Sequence, residues 1–174
     1  IFRGLGDRDG MAKCLWGWGA CAQVANMHQE ARPRLEEALE ILAGSENTFQ
    51  VGWASWVMAN VLFKLGEADA SRPHLAAALR VFSDAGDVSG MILVLTSYTR
   101  LFLMEGDTER VIVLIGVLGA LKQMSGMDLS EAFSEEIEGL DRIFEEIDSE
   151  RGEELLRIGR DMSRDQVIEY ASTL

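Results

Sequence analysis

The side chains best suited to chemistry are few and scattered. The chain holds two histidines, His28 and His74, and two cysteines, Cys14 and Cys21. An activated nucleophile needs a base within hydrogen-bond reach. Neither histidine neighbours a serine or cysteine in a nucleophile motif. Gly4-x-Gly6-x-x-x-Gly10 has the wrong spacing for a phosphate or dinucleotide loop, and no strand precedes it. Asp7-x-Asp9-Gly10 opens like a calcium loop but lacks the later ligands and the closing glutamate. The acidic pairs Glu135-Glu136 and Glu145-Glu146 lie beside an apolar stripe, as solvated helix faces do. No catalytic residue, no metal ligand and no cofactor is therefore expected.

Cys14 and Cys21 lie seven residues apart. On a helix that spacing puts them on one face, separated by ~10 Å along the axis, too far for a disulfide. Two buried, reduced thiols are the expectation, with His74 on the polar side of its helix and His28 in a turn. Reduced thiols point to a cytoplasmic protein.

Composition bounds the partners. The chain has 174 residues, with 29 acidic against 16 basic side chains and a formal net charge of −13. Direct nucleic-acid contact needs clustered lysine and arginine, so none is expected. A bilayer span needs ~20 apolar residues. The best run, Val111 to Leu121, holds two glycines and is flanked by charge, so no membrane span is expected. Two prolines and 48% hydrophobic residues exclude a disordered chain.

The elements that position these side chains repeat. Ala31-Arg32-Pro33-Arg34-Leu35-Glu36-Glu37-Ala38-Leu39 returns 40 residues later as Ser71-Arg72-Pro73-His74-Leu75-Ala76-Ala77-Ala78-Leu79. The same offset carries Asn26 to Gly66 to Gly106, and Phe2 to Leu42 to Phe82. Each unit reads as two helices. The first helices begin near Gly10, Gln50 and Gly90 and close at Asn26, Gly66 and Gly106, residue types that tolerate a left-handed turn. The second helices run from about Gln29, Asp69 and Thr108 to about Leu42, Phe82 and Gln123, with Pro33 and Pro73 near their starts, where a missing N–H costs least. Small residues recur at Gly19, Ala59 and Thr99, and large ones at Trp18, Met58 and Tyr98. Such a small–large face cannot be buried by one repeat alone. Val111-Ile112-Val113-Leu114-Ile115 has strand propensity, but its register places it on a second helix.

The spacing of Trp18-Gly19, Ala22, Asn26, Ala31, Leu35 and Ala38-Leu39 resembles the tetratricopeptide repeat signature. Met58-Ala59, Leu62, Gly66, Ser71, Leu75 and Ala78-Leu79 match in the second copy, and the third matches less well. The 40-residue period is similar to that of the C-terminal helical arrays of large bacterial regulators, the LuxR-type proteins and signal-transduction ATPases. The tail Met162 to Ala171 resembles the close of such an array. The resemblance implies an all-α superhelix. Repeats occupy residues 1–123, capping helices occupy 124–174, and the whole forms one domain that is a fragment of a longer protein.

In that family the first helices line a concave surface. The inward positions map onto Lys13, Trp16, Ala20 and Gln23 in the first unit. They map onto Trp53, Trp56, Asn60 and Lys64 in the second, and onto Leu93, Thr96, Arg100 and Met104 in the third. Aromatic anchors beside a few polar groups suit a binding groove. Lys13, Lys64 and Arg100 suit an acidic peptide or a carboxylate. The tryptophans could instead pack between repeats. The expected function is recognition of a protein, peptide or small effector, as the sensor arm of a bacterial transcriptional regulator or signalling ATPase. A stand-alone adaptor scaffold is the alternative. Self-association is expected through Phe2, Leu5 or Leu15 at an uncapped repeat end.

From Asp128 the pattern changes. Phe133, Ile137, Leu140, Phe144 and Ile147 form one apolar stripe, Gly152 is expected to break the run, and Ser163 with Gln166 starts a last helix. Residues 128–154 hold 12 acidic and 2 basic side chains, so the acidity belongs mainly to this end.

Overall fold

In a computed structural model, residues 6–45, 47–125, 143–144 and 147–173 are described. They form eight helices and, among themselves, no strand. These are α1 (Arg8–Val24), α2 (His28–Leu42), α3 (Thr48–Lys64), α4 (Ala68–Asp84), α5 (Val88–Glu105), α6 (Thr108–Ser125), α7 (Ser149–Asp161) and α8 (Arg164–Ser172). The first six pair as the 40-residue period requires. The β-branched run Val111–Ile115 lies within α6, and its first four residues are buried. Phe2 and Leu5, and the stripe residues Phe133, Ile137 and Leu140, lie outside the described residues.

Helix ends repeat in register as well. Asn26, Gly66 and Gly106 close α1, α3 and α5 with φ of 59°, 79° and 73°. A side chain rarely adopts this conformation, and glycine or asparagine adopts it at least cost. The turn is locked by one recurring hydrogen bond. Met27 N–H donates to the Ala22 carbonyl (2.8 Å), Glu67 to Leu62 (2.9 Å) and Asp107 to Phe102 (2.9 Å), each bond tying the turn back to a carbonyl of the helix's last turn.

Four local expectations are corrected. Pro33 and Pro73 are the sixth residues of α2 and α4, beyond the first turn, so each removes a helix hydrogen bond to the carbonyl of Gln29 or Asp69. Gly152 does not break a helix. It is buried within α7, a helix that starts after Asp148, whose carboxylate accepts from the backbone N–H of Glu150 (3.0 Å) and Arg151 (3.3 Å). Cys14 and Cys21 share a face, as expected, but both are exposed. The buried positions of α1 are Ala12, Gly19 and Ala22, on another side of the helix. Finally, the stretch that comes nearest to a span is not Val111 to Leu121 but α5, which passes by length and composition only and is 61% buried. The expected start of the last helix holds, with Ser163 and Gln166 forming a reciprocal capping box.

The chain divides into two compact units, Ile1–Asp87 and Val88–Leu174. In the first, α1 packs on α2, α2 on α3 and α3 on α4, and α1 also packs on α3. Its helices meet side chain against glycine. A Cβ added at Gly19 would stand 2.7 Å from the Leu35 side chain, and one at Gly52 would stand 2.8 Å from Val81. In the second unit, α6 packs on both α5 and α7. There the contact is backbone against backbone: a Cβ at Gly116 would overlap the Leu156 carbonyl, and one at Gly159 the Val113 carbonyl.

Candidate binding faces

In the first unit, the pairing of α1 with α3 brings three of the expected residues together. Trp16 stacks on Trp53 with ring centroids 6.3 Å apart, and Trp56 meets Trp53 edge to face at 5.8 Å. Phe49 and Phe82 complete the cluster, Phe82 lying 5.2 Å from Trp53. Offset and edge-to-face pairs of this kind stabilise by ~1 kcal/mol beyond their burial. Trp16 and Trp56 also pack against the core built from Ala22, Leu35, Met58 and Leu62. The tryptophans thus link the two repeats while remaining half-buried, so part of each ring still faces outward.

The polar members behave differently from one another. Lys13 and Lys64 are exposed on α1 and α3, as a surface for anions requires. Gln23 is half-buried near the end of α1. Asn60 is 5% exposed, and its amide donates 2.9 Å back to the Trp56 carbonyl. That bond ties the side chain to its own helix α3. The indole Nε1–H of Trp16 donates 3.4 Å to the Gln50 carboxamide oxygen, which holds that ring's orientation. Trp18, expected to be a core residue like Met58 and Tyr98, is 42% exposed with Arg34 over its ring at 5.7 Å.

Arg100 belongs to the second unit and is half-buried on α5. Thr96, one turn before it, is buried and donates 2.8 Å to the Ile92 carbonyl. It is therefore a core residue and not a groove residue. Sequence reasoning missed a concavity of the second unit, a pocket of about 620 Å³ between α6, α7 and α8. That size suits a small ligand. Arg110, Arg157, Ile158, Met162, Glu169 and Tyr170 are among its lining residues. Arg110 is already committed: it donates 2.8 Å to the Thr173 carbonyl, lies 3.3 Å from Asp107 and covers the Phe102 ring at 5.0 Å. The available signal was the tail Met162 to Ala171, where Met162 precedes α8 and Tyr170 lies on it.

Electrostatics sort the titratable groups by cause. Burial pushes the His74 imidazole below its ordinary value. Burial raises the Tyr170 phenol, while the nearby Arg110 charge opposes this. Arg151 binds Glu109 through two bonds of 3.0 and 2.9 Å and Glu154 at 2.7 Å, clamping α7 to α6 and holding the Glu109 carboxyl below its ordinary value. Among the described residues, no group of three His, Cys, Asp or Glu side chains could hold a metal ion.

No family model, no curated protein and no solved structure matches this chain.

Proposed function

We propose that the chain is a non-catalytic recognition domain built of tetratricopeptide-like repeats. In this reading it serves as the sensor or regulatory arm of a bacterial transcriptional regulator or signalling ATPase, and it acts in the cytoplasm without a cofactor. The observation that carries the reading is the helix-closing hydrogen bond that recurs at Met27, Glu67 and Asp107, 40 residues apart, and once more at Asp87 after a second helix, joined to paired helices of similar length. Repeats of this kind present extended surfaces for partners. The recognition face is that of α1 and α3, where exposed Lys13 and Lys64 flank half-buried tryptophans. Its partner is a peptide or small effector carrying carboxylates, which the two ammonium groups attract and the indole surfaces contact.

The test uses substitutions that leave the core alone. Fluorescein-labelled hexaglutamate is titrated with the protein and followed by anisotropy. Binding that weakens at least about tenfold in the Lys13→Glu/Lys64→Glu double variant, with unchanged helical circular dichroism, supports the reading. Absence of binding, or equal binding by the variant, contradicts it.

A further inference from the structure

Three helices of the first unit each bring two residues, one turn apart, to a common groove of about 340 Å³. These are Glu36 and Glu40 of α2, Met58 and Leu62 of α3, and Ala70 and His74 of α4. The α3 pair belongs to the core and is at most 4% exposed, so it closes the bottom of the groove, with half-buried Leu39 beside it. Glu36, Glu40 and Ala70 are exposed at the rim. Among the described residues, Arg32 is the only lysine or arginine of this lining, and its charge is already committed, reaching Glu36 at 3.0 Å and Glu67 at 2.8 Å. Glu40 has no hydrogen-bond or ion-pair partner among the described residues. Burial favours the neutral form of His74, so the imidazole adds no opposing charge at neutral pH.

In the next repeat the chain itself supplies cations at two of these positions. The 40-residue register matches Glu40 to Arg80, Leu62 to Phe102 and Ala70 to Arg110. The Arg110 guanidinium lies over the Phe102 ring at 5.0 Å and 3.3 Å from Asp107. The first repeat has an alanine in place of that arginine and an unpaired carboxylate in place of Arg80. We infer that the groove between α2 and α4 takes an arginine side chain from a partner peptide. Charge selects the occupant first: Glu36 and Glu40 outnumber the committed Arg32, so the groove attracts a cation. The apolar bottom selects arginine over lysine. A planar guanidinium and its methylene stem can lie on leucine surface while the fork bonds a carboxylate through two N–H groups, which a compact ammonium cannot do. Size agrees, since about 340 Å³ is the small end of the range for ligand pockets and admits a side chain. The inference stands apart from the α1–α3 recognition face, which takes the opposite charge.

Amide NMR spectra of the protein are followed as N-acetyl-arginine N-methylamide, the peptide unit around one arginine, is added. Saturable shifts are expected at Glu36–Glu40 and Ala70–His74. The lysine analogue should bind at least about threefold more weakly. The peptide Gly-Gly-Arg-Gly-Gly should bind at least as tightly as the single unit, and weaker binding overturns a peptide occupant. Ala70→Arg, which installs the arginine of the next repeat, should weaken binding at least about tenfold by filling the groove and opposing the incoming charge. Glu40→Gln should weaken it about threefold. Glu153→Gln, at an exposed carboxylate of α7 in the second unit, should leave it unchanged. The three substituted positions are exposed, so helical circular dichroism should be retained in each variant. Absence of saturable shifts at the groove residues overturns the proposal, as does equal binding of the lysine analogue. Undiminished binding by Ala70→Arg overturns it as well. Equal weakening by Glu153→Gln and Glu40→Gln does the same, because it marks attraction to the overall charge of the chain.

Discussion

The two units hold their helices together by different means, and the difference decides what each can expose. In the first, side chains fill the space. Leu35 lies over Gly19, Val81 over Gly52, and Trp16, Trp53, Phe49 and Phe82 interlock between repeats. Large side chains between helices leave partly exposed aromatic surface at the seam. In the second, Gly116 and Gly159 let the α6 and α7 backbones touch, and an arginine clamp closes the pair. Close approach there leaves little aromatic surface outside, and the concavity arises instead where α7 turns into α8. The first unit thus keeps aromatic side chains at its seam, whereas the second brings helix backbones together beside a small pocket.

Substitutions should separate these two designs. The largest effect belongs to Gly159→Val, whose side chain cannot coexist with the Val113 carbonyl unless α6 and α7 move apart. A loss of about 3 kcal/mol is expected in urea unfolding, at the upper end for overpacking. Because all four tryptophans lie within residues 16–56, it should move the circular dichroism transition more than the tryptophan-emission transition. Trp53→Ala comes next, with a loss of about 2–3 kcal/mol and the opposite weighting of the two signals, since it removes the centre of the aromatic cluster. Gly19→Ala should cost only about 1 kcal/mol, because its obstacle is a Leu35 side chain that can rotate, not a fixed carbonyl.

Acid should act weakly and at identifiable groups. The folded state holds His74 below its ordinary value of 6.5, so the unfolded chain takes up the proton first. Stability is then intact above pH 6.5 and falls as pH drops toward the folded-state value, a loss that His74→Gln should remove from the pH profile of the thermal midpoint. The smallest effect is that of Arg151→Met. Glu109 is held below its ordinary 4.5, so its contribution exists above that value and disappears as pH falls through the folded one; the variant should flatten the profile there.

Much of the fold was legible because the repeat constrains many positions at once. Asn26, Gly66 and Gly106 mark helix ends by residue type, and their common spacing overrides the local strand propensity of Val111–Ile115. Exposure was less legible. Cys14 and Cys21 carry the same apolar signal as the buried Ala54 and Val61, and only the presence of a covering helix distinguishes them. Gly116 and Gly159 could not be paired from sequence, because neither helix alone reveals which backbone it will touch. Of the expected binding residues, Lys13, Lys64 and the three clustered tryptophans keep some outward surface, whereas Asn60 is turned into its own helix. A polar side chain on an apolar helix reads the same from sequence whether it serves a ligand or a carbonyl one turn back.

Hydrogen–deuterium exchange with and without hexaglutamate tests the central claim most directly, since it reads both units in one experiment. Recognition by the first unit predicts slowed exchange confined to α1 and α3, around Lys13–Gln23 and Trp53–Lys64. Slowing around Arg157–Thr173 instead, or none anywhere, would contradict it.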